Sequence, residues 1–340
     1  MTVRNVKAAI IKAHGGPEQL EVVDNWPKPT IGEGDVLLKV KAASLNYHDV
    51  FTRNGMPGIK LTLPVVPGLD LAGEIVEVGE GVGDFAPGDR VLVDPLNRVE
   101  GGLQGETCDG GLQEFARVRA HQLIRLPENV SFEQAASLPV AYGTAYRMMV
   151  GRGGVKAGEK VLVLGASGGV GTGAVLIAKQ LGAHVIACGS SDAKLAKLLE
   201  IGADEVIDYT KVDFAKEVFA RFGKPHRRTY DGGVDVVVNF TGGDTWVRSL
   251  RALKRGGRLL ICGATAGFDP KEDLRFIWTF ELDIKGSNSW ARTDLEALLQ
   301  LISEGKLTPV IDKVLPLDQA QEALRLIEER KVIGKVIVAP

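Results

Sequence analysis

The heptapeptide Gly165-Ala166-Ser167-Gly168-Gly169-Val170-Gly171 decides the fold of the second half of this chain. It follows an apolar run that ends at Leu164, typical of a buried strand, and precedes a run to Leu181 with apolar residues at helical spacing. Glycines at such a turn let a pyrophosphate approach the helix N-terminus, where free N–H groups and the helix dipole favour negative charge. The context predicts a dinucleotide-binding loop, and the alternative is a strand-to-helix turn without a ligand.

Strands and helices alternate from Ala141 onward. Such alternation predicts an α/β fold, with a doubly wound parallel sheet that carries helices on both faces. The predicted strands cover residues 160–164, 184–188, 206–209, 234–239 and 258–262, with an edge strand at 283–286, and the predicted helices cover 170–181, 193–199 and 214–222.

The chain before about Pro139 has a different rhythm. Short β-branched runs are broken by glycine and proline, which is typical of an antiparallel, barrel-like domain. The tail adds predicted helices at 295–303 and 317–329 and predicted strands at 310–315 and 335–338. We predict a barrel domain over residues 1–138 and 289–340, interrupted by a doubly wound domain over residues 139–288.

Composition limits the classes of partner and compartment. Hydrophobic residues make up 45% and charged residues 25%, and the formal net charge is -2, so bulk charge gives no reason to expect binding to nucleic acid or to an anionic membrane. No apolar run reaches the ~20 residues that span a bilayer. Cys108, Cys188 and Cys262 lie far apart in sequence, which suits a reducing cytosol. We expect a cytoplasmic protein that acts on a small molecule.

The end of the second predicted strand selects the cofactor. NAD sites usually place an acidic residue there, about 20 residues beyond the loop, on the ribose hydroxyls. This chain has Ser190, Ser191 and Lys194 instead, and hydroxyls with a cation suit a 2′-phosphate. Asp192 lies beside them, and we interpret it as the N-cap of the next helix. The sequence therefore predicts NADPH rather than NADH.

Several motifs besides the glycine loop carry a family resemblance; they are ASLNYHD at 43–49, PGLDLAG at 67–73, GDRV at 88–91, GTA at 143–145 and GKV at 334–336. With them, nearly the whole chain resembles the medium-chain dehydrogenase/reductase superfamily, in particular its zinc-free members that are similar to quinone oxidoreductases. The resemblance implies a GroES-like β-barrel catalytic domain, a Rossmann domain that binds NADP, an active-site cleft between them, and a homodimer joined through the last Rossmann strand.

Zinc-dependent members of this superfamily bind the catalytic ion through Cys, His and either Cys or Asp. The resemblance places Asn46, Leu69 and Val140 there; Leu and Val cannot coordinate a metal, and Asn is a poor zinc ligand. The four-cysteine structural lobe of those relatives corresponds to residues 94–111, which hold only Cys108. We predict that the protein binds no metal.

Without a Lewis acid, the alkoxide of a simple ketone or alcohol needs another stabiliser. A conjugated carbonyl is an easier substrate, because hydride adds to the β-carbon and the charge spreads onto the carbonyl oxygen. This chemistry and the resemblance predict a reductase of quinones or activated alkenes, such as enones and enoyl thioesters. The alternatives are an alcohol or ketone dehydrogenase of the same superfamily and a non-catalytic NADPH-binding protein.

Three consecutive residues are the catalytic candidates. The resemblance places Asn46 near the nicotinamide, where its amide would donate to a developing oxyanion, with a packing amide as the alternative. Tyr47 either donates likewise or lines the pocket. His48 stands where zinc alcohol dehydrogenases keep a proton-relay hydroxyl, so it relays a proton unless it is structural. The tyrosine that some enoyl thioester reductases carry after Gly55 is absent from Met56-Pro57-Gly58, which leaves His48 or water as the proton donor.

The remaining cofactor contacts follow from the resemblance and from positions at the carboxyl ends of predicted strands, where doubly wound sheets bind ligands. Plain turn residues are the alternative at each position. These residues are Thr144, Tyr209, Asn239, Thr241, Gly263, Ala264, Ser287, Asn288 and Lys335.

Overall fold

The computed structural model describes residues 5–56, 58 and 61–340, and the chain divides into two compact units. The first unit comprises Met1–Ala141 and Leu295–Pro340, and the second comprises Tyr142–Asp294. The boundaries predicted from the sequence, after residues 138 and 288, lie a few residues earlier. The chain leaves the first unit, forms the second, and then returns.

The ends of the strands place the candidate site. In chain order, the strands of the described residues are β1 Asn5–Ile11, β2 Leu20–Pro27, β3 Asp35–Leu45, β4 Asp70–Val78, β5 Arg90–Val93, β6 Phe115–Arg119, β7 Leu123–Arg125, β8 Lys160–Val163, β9 His184–Gly189, β10 Glu205–Asp208, β11 Val234–Val238, β12 Leu253–Ile261, β13 Asp283–Gly286, β14 Ile311–Pro316 and β15 Lys335–Ala339.

The α-helices are α1 Tyr47–Asn54, α2 Phe132–Ala136, α3 Thr144–Tyr146, α4 Gly169–Gln180, α5 Asp192–Glu200, α6 Phe214–Phe222, α7 Thr245–Ala252, α8 Leu274–Thr279, α9 Arg292–Ser303 and α10 Ala320–Glu328. Two π-helical segments, Leu138–Gly143 and Arg147–Arg152, flank α3, and 3₁₀ turns occur at Pro17–Gln19, Ala120–Gln122 and Leu317–Gln319. Among the described residues, no helix combines the length and the apolar character that crossing a membrane requires.

Strand β3 organises the first unit. It is 11 residues long and pairs antiparallel with β4, β6 and β15. Six strands of this seven-stranded sheet follow the order β14-β15-β3-β4-β5-β7, and the seventh, β6, pairs with β3 off this path. The register sets Ser44 opposite Asp70 and Leu45 opposite Val336. The end of β3 therefore meets the start of β4 and the start of β15. The antiparallel, barrel-like domain predicted from the sequence is confirmed.

The second unit contains a parallel sheet with the strand order β10-β9-β8-β11-β12-β13. The order reverses between β8 and β11, which is the position where doubly wound sheets bind ligands. The predicted doubly wound α/β fold is thus confirmed. Strand β13 forms one edge of the sheet, where its backbone groups are open to pairing with another strand. The homodimer expected through this strand stays a prediction, and measuring the mass of the protein in solution tests it.

Several elements of the second unit were not predicted. Helices α3, α7 and α8 have three, eight and six residues, which is too few turns for a clear helical period. Strand β12 begins at Leu253, whereas the sequence predicted a start at residue 258. The prediction was late because Gly256 and Gly257 interrupt the apolar pattern of the strand. Gly256 adopts φ +70°, and the pairing with β11 shifts register nearby, so this part of the strand is irregular.

Candidate active site

The glycine loop joins β8 to α4, which begins at Gly169 with Gly168 as its N-cap. Gly165 adopts φ +61°, a left-handed conformation that favours glycine. At Gly171 a Cβ would overlap the Gly165 carbonyl oxygen and lie 2.6 Å from backbone atoms of Ala166, so the helix approaches the strand end closely only because this residue is glycine. The first-turn N–H groups of α4 have no partners within the helix, which is the arrangement that binds a pyrophosphate.

Ser190, Ser191 and Lys194 lie where β9 ends and α5 begins. The Oγ of Ser191 accepts a hydrogen bond from the backbone N–H of Lys194 at 3.4 Å, so Ser191 is the N-cap of α5. The interpretation of Asp192 as the cap is therefore wrong, because Asp192 is already the first helical residue. Ser190 is half-buried and Ser191 is exposed.

A carboxylate that none of the sequence motifs indicated lies beside this strand end. Asp208 is the last residue of β10 and pairs in register with Gly189, the last residue of β9. The Nζ of Lys211 lies 2.9 Å from Asp208 and 3.3 Å from Asp192, so it bridges the two carboxylates. Hydrogen bonds from the Thr210 hydroxyl and from Lys211 lower the pKa of Asp208. Cations and carboxylates therefore alternate along this edge.

Asn239 shapes a turn, and its assignment as a cofactor contact stays a prediction. Its side chain is buried, and its Oδ1 accepts hydrogen bonds from the backbone N–H groups of Thr241 and Gly242, both at 2.9 Å. Its Nδ2 donates to two hydroxyls of α7 at 3.0 and 2.9 Å. The amide thus has its partners inside the turn between β11 and α7. Thr241 lies beside the glycine loop, since a Cβ on Gly165 would be 3.6 Å from its Oγ1.

Ser287 follows β13 directly at the carboxyl end of the sheet. Its N–H donates to the Ile261 carbonyl at 2.8 Å, and its buried Oγ has no hydrogen-bond partner among the described residues. A buried polar group without a partner costs about 1–3 kcal/mol. This hydroxyl therefore fits a polar group of a bound ligand. The second unit thus has two features that a nicotinamide dinucleotide fits. They are the Ser287 hydroxyl and the close approach of α4 to the end of β8 at Gly171.

The other predicted contacts of the second unit lie in the glycine loop or directly after a strand, with the exception of Thr144. They are Ser167, Val170, Tyr209, Gly263, Ala264 and Asn288. Thr144 is buried in α3, which packs against α4, where a Cβ on Gly173 would lie 3.2 Å from Ala145. These residues therefore lie at the carboxyl end of the sheet, where doubly wound sheets bind ligands. No contact of an individual residue assigns it to the cofactor, so each assignment stays a prediction.

Three side chains of the first unit form a buried polar cluster, the Asp70 cluster, which consists of Asn46, Asp70 and Lys335. The Nδ2 of Asn46 donates to Asp70 Oδ2 at 2.8 Å. The Nζ of Lys335 donates to Asn46 Oδ1 at 2.5 Å and lies 3.6 Å from Asp70 Oδ2. The cluster is tied to the backbone, because Lys335 also donates to the Leu45 carbonyl at 2.9 Å and the Val140 N–H donates to Asp70 Oδ1 at 3.0 Å.

The Asp70 cluster bears on two predictions, which both stay predictions. Lys335 was expected at the cofactor, but its ammonium is 2% exposed and has its hydrogen-bond partners inside the first unit. Asn46 was expected to donate to an oxyanion, but its Nδ2 donates to Asp70 and, at 3.4 Å, to the Ser44 carbonyl. Both amide hydrogens are therefore engaged, and Asn46 orders the end of β3. Asp70 was missed as a site residue because only the pairing of distant strands brings it to Lys335.

Burial governs the ionisation of the cluster. Burial raises the pKa of Asp70 from 3.8 to about 6, although the Lys335 ammonium and the Asn46 amide act to lower it. Burial lowers the pKa of Lys335, against the attraction of Asp70 and Asp49. Burial also raises the pKa of Asp49, whose carboxylate accepts the N–H groups of Asn46 at 2.8 Å and Gly68 at 3.0 Å. Each buried charge thus depends on the others.

His48 is half-buried and is paired with a carboxylate. Its Nε2 lies 2.7 Å from Glu106 Oε2. Glu106 belongs to the segment 94–111. In the sequence, this segment was notable only for its missing zinc-binding cysteines, and nothing there indicated Glu106. The Tyr47 ring packs edge-on against Phe51 with 5.0 Å between the ring centroids, so packing is the role the structure shows for it. Some enoyl thioester reductases carry a tyrosine in the stretch that corresponds to residues 56–58. Within this stretch, residue 57 lies outside the described residues.

Known proteins share both parts of this architecture. Residues 32–128 match the alcohol dehydrogenase GroES-like domain, and residues 201–338 match the zinc-binding dehydrogenase family. The acryloyl-coenzyme A reductase of Metallosphaera sedula is 35% identical over 98% of this chain and 99% of its own length. The quinone oxidoreductase of Homo sapiens is 31% identical over 98% of this chain and 97% of its own length. This chain belongs to the medium-chain dehydrogenase/reductase superfamily.

Solved structures of the superfamily have the same fold. An NAD-dependent alcohol dehydrogenase is 38% identical, with a TM-score of 0.90 and coverage of 98% of this chain and 99% of its own. A 2-octenoyl-CoA carboxylase reductase, solved in complex with NADP and 2-octenoyl-CoA, is 28% identical, with a TM-score of 0.87 and coverage of 99% and 88%. These relatives are oxidoreductases, and so is this chain. The superfamily binds a nicotinamide dinucleotide, which the glycine loop and Ser287 fit.

One matching family model of the superfamily is described as zinc-binding, but the residues of this chain do not fit a catalytic zinc. Leu69 is buried and apolar, Val140 contributes a backbone N–H to Asp70, and the Asn46 amide has other partners. In residues 5–56, 58 and 61–340, no group of three or more His, Cys, Asp and Glu side chains is arranged to hold a metal ion. The Sγ of Cys108 contacts Gln104 Oε1 at 3.5 Å.

Proposed function

We propose that this oxidoreductase uses NADPH, without zinc, to reduce a conjugated carbonyl compound, either a quinone or an activated alkene such as an enone or an enoyl thioester. One observation carries the proposal. The chain keeps the glycine loop of a dinucleotide site, but it has Asn46, Leu69 and Val140 at the positions where zinc-dependent dehydrogenases of the superfamily bind zinc. The names of the two relatives, an acryloyl-coenzyme A reductase and a quinone oxidoreductase, support the same substrate class.

A conjugated acceptor suits these residues because its reduction spreads negative charge onto a carbonyl oxygen and needs no Lewis acid. When bound, NADPH supplies a hydride. The first turn of α4 would hold the pyrophosphate, and the Ser287 hydroxyl would donate to or accept from a polar group of the ligand. His48 delivers a proton to the substrate. The Asp70 cluster fixes the end of β3 and thereby the start of α1, which carries His48.

The cofactor preference gives the first test. We expect NADPH to raise the melting temperature more than NADH at equal concentration, because Ser190, Ser191 and Lys194 offer hydroxyls and a cation to a 2′-phosphate. Lys194→Ala should reduce the difference between the two cofactors. Lys197→Ala, on the same helix and paired with Glu200, is the matched control and should keep it. A larger shift with NADH in the native protein contradicts the assignment.

The substrate class gives the second test. The purified protein is assayed with NADPH against four acceptors, which are 1,4-naphthoquinone, an enone, an enoyl thioester and a simple ketone. It is also assayed with NADP⁺ against an alcohol. We expect turnover of one or more conjugated acceptors only, and we expect it to survive dialysis against a chelator because no step uses a metal. Alcohol oxidation that the chelator abolishes would favour a zinc dehydrogenase. Tight NADPH binding without any turnover would favour a non-catalytic protein.

A further inference from the structure

Glu106 and His48 form a partly buried pair in the first unit that none of the sequence motifs indicated. Their nearest atoms, Oε2 and Nε2, are 2.7 Å apart, and the two side chains are 15% and 34% exposed. The residues are 58 positions apart in sequence, so the contact depends on the fold rather than on a local turn. A charge-assisted bond of this length, screened from water on the carboxylate side, holds the imidazole in one orientation.

Both partners are anchored to the same segment, the backbone at Gly68. On the Glu106 side, Gly105 adopts φ +74°, and a Cβ there would lie 3.0 Å from backbone atoms of Gly68, while the Gly111 N–H donates to the Gly68 carbonyl at 2.7 Å. On the His48 side, the neighbouring Asp49 accepts the Gly68 N–H at 3.0 Å. The backbone at Gly68 therefore contacts the chain directly beside each partner of the pair.

The chemistry of the pair selects one form of the imidazole. A carboxylate accepts hydrogen bonds and does not donate them, so the contact requires the proton on Nε2 of His48. The other ring nitrogen, Nδ1, is then the one that exchanges protons. The logic is that of a carboxylate that orients a catalytic histidine without being protonated itself.

We propose that Glu106 is a positioning residue that holds His48 in the Nε2–H form, so that Nδ1 delivers the proton to the substrate. The proposal rests on the proposed function above. With the hydride that bound NADPH would supply to the β-carbon, the π electrons of the alkene would become those of the enolate, and the Nδ1–H bond of the imidazolium would break as a C–H bond forms at the α-carbon. His48 is left neutral with its proton on Nε2, the form Glu106 stabilises, and regains a proton from solvent.

The test that does not depend on turnover is the ¹⁵N NMR spectrum of the histidine rings in the protein without cofactor. The chain has five histidines, and the variant His48→Gln identifies the His48 signals by their absence. At a pH where the ring is neutral, we expect the proton on Nε2 in the native protein and a mixture of both forms in Glu106→Gln, because a carboxamide both donates and accepts. A native His48 with its proton on Nδ1, or an unchanged spectrum in Glu106→Gln, overturns the proposal.

A second Glu–His pair supplies the matched control. His184 Nε2 lies 2.7 Å from Glu205 Oε1 in the second unit. Glu205→Gln should change the His184 signals and leave those of His48 and the turnover unchanged. If Glu205→Gln lowers turnover as much as Glu106→Gln does, the loss is not specific to the His48 pair and the proposal fails.

Kinetics with the best conjugated acceptor give the second readout. We expect Glu106→Gln to lower kcat about a hundredfold, the lower end of the range for general acid catalysis, with an unchanged Kd for NADPH. Glu106→Asp, which keeps the carboxylate on a shorter stem, should recover part of kcat while the native melting temperature persists in both variants. A changed ring spectrum with an unchanged kcat overturns proton delivery by His48. Absence of turnover with every acceptor in the native protein refutes the proposed function instead, and the NMR result still decides the role of Glu106.

Discussion

Replacing Lys335 with methionine is expected to lower the free energy of unfolding by about 3–5 kcal/mol at pH 7, the usual effect of removing one partner of a buried ion pair. The methionine fills most of the same volume, but it leaves Asp70 without its cation at 3.6 Å and Asn46 Oδ1 without its donor. Both groups remain buried, so water cannot replace the lost ammonium. Equilibrium unfolding in urea measures the change, with Lys331→Met, at an exposed lysine paired with Glu329, as the control within about 0.5 kcal/mol.

The loss should depend on pH in a defined direction. The pKa of Asp70 in the folded chain is raised from 3.8 to about 6, so between these values the folded state binds more protons than the unfolded state. The contribution of Asp70 to stability is therefore greatest below about pH 4 and is lost as the pH rises through 6. Because Lys335 acts to lower this pKa, its removal raises the pKa further and extends the loss to higher pH. The difference between the native protein and Lys335→Met should be smallest near pH 4–5 and largest above pH 7.

A double substitution separates the charge effect from packing. In Lys335→Met with Asp70→Asn no carboxylate is left at position 70, so about half of the lost stability should return, and the pH dependence between 5 and 8 should weaken. A pH-independent loss of the same size in the single and the double variant would show that packing, and not the ion pair, explains the effect.

The fold was predictable from the sequence because its signals are local. The glycine loop, the apolar run before it and the helical spacing after it lie within about 20 residues, and the alternation that follows determines a parallel sheet. The helices of the second unit that were missed, α3, α7 and α8, are short, and their helical character depends on what they pack against. Asp192 was misassigned as a cap because two candidate caps, Ser191 and Asp192, are adjacent and differ only in where the helix begins.

The candidate site was predictable only in part, because its decisive contacts are not local. Lys335 contacts Asn46 across 289 positions and Glu106 contacts His48 across 58, and no spacing in the sequence reports either contact. Asn239 was assigned to the cofactor because it follows a strand, yet its amide is satisfied within its own turn. Residue type and position at a strand end predict where a ligand binds, but the partners of each polar atom decide what that atom can do.

The substitution Gly171→Ala is expected to weaken NADPH binding by about a hundredfold or more. The added Cβ would overlap the Gly165 carbonyl oxygen and lie 2.6 Å from Ala166 backbone atoms, and backbone neighbours cannot rotate away as a side chain would. The first turn of α4 must therefore move off the strand end. Two misaligned N–H bonds to a charged phosphate, at about 1.5–3 kcal/mol each, account for an effect of this size.

Gly168→Ala is the matched control for the stability of the cofactor-free protein, because it adds the same methyl group to the same loop without the clash with protein atoms. Its φ is −79°, which any residue adopts, and its Cβ would lie 3.6 Å from the Gly165 oxygen, an ordinary contact. The melting temperature of the cofactor-free protein should fall in Gly171→Ala, since forced overpacking costs about 1–3 kcal/mol, and stay near the native value in Gly168→Ala. Calorimetric titration with NADPH then compares Gly171→Ala with the native protein. Native affinity in Gly171→Ala would mean that the cofactor does not depend on the close approach of α4 to β8, and the phosphate site would have to lie elsewhere in the second unit.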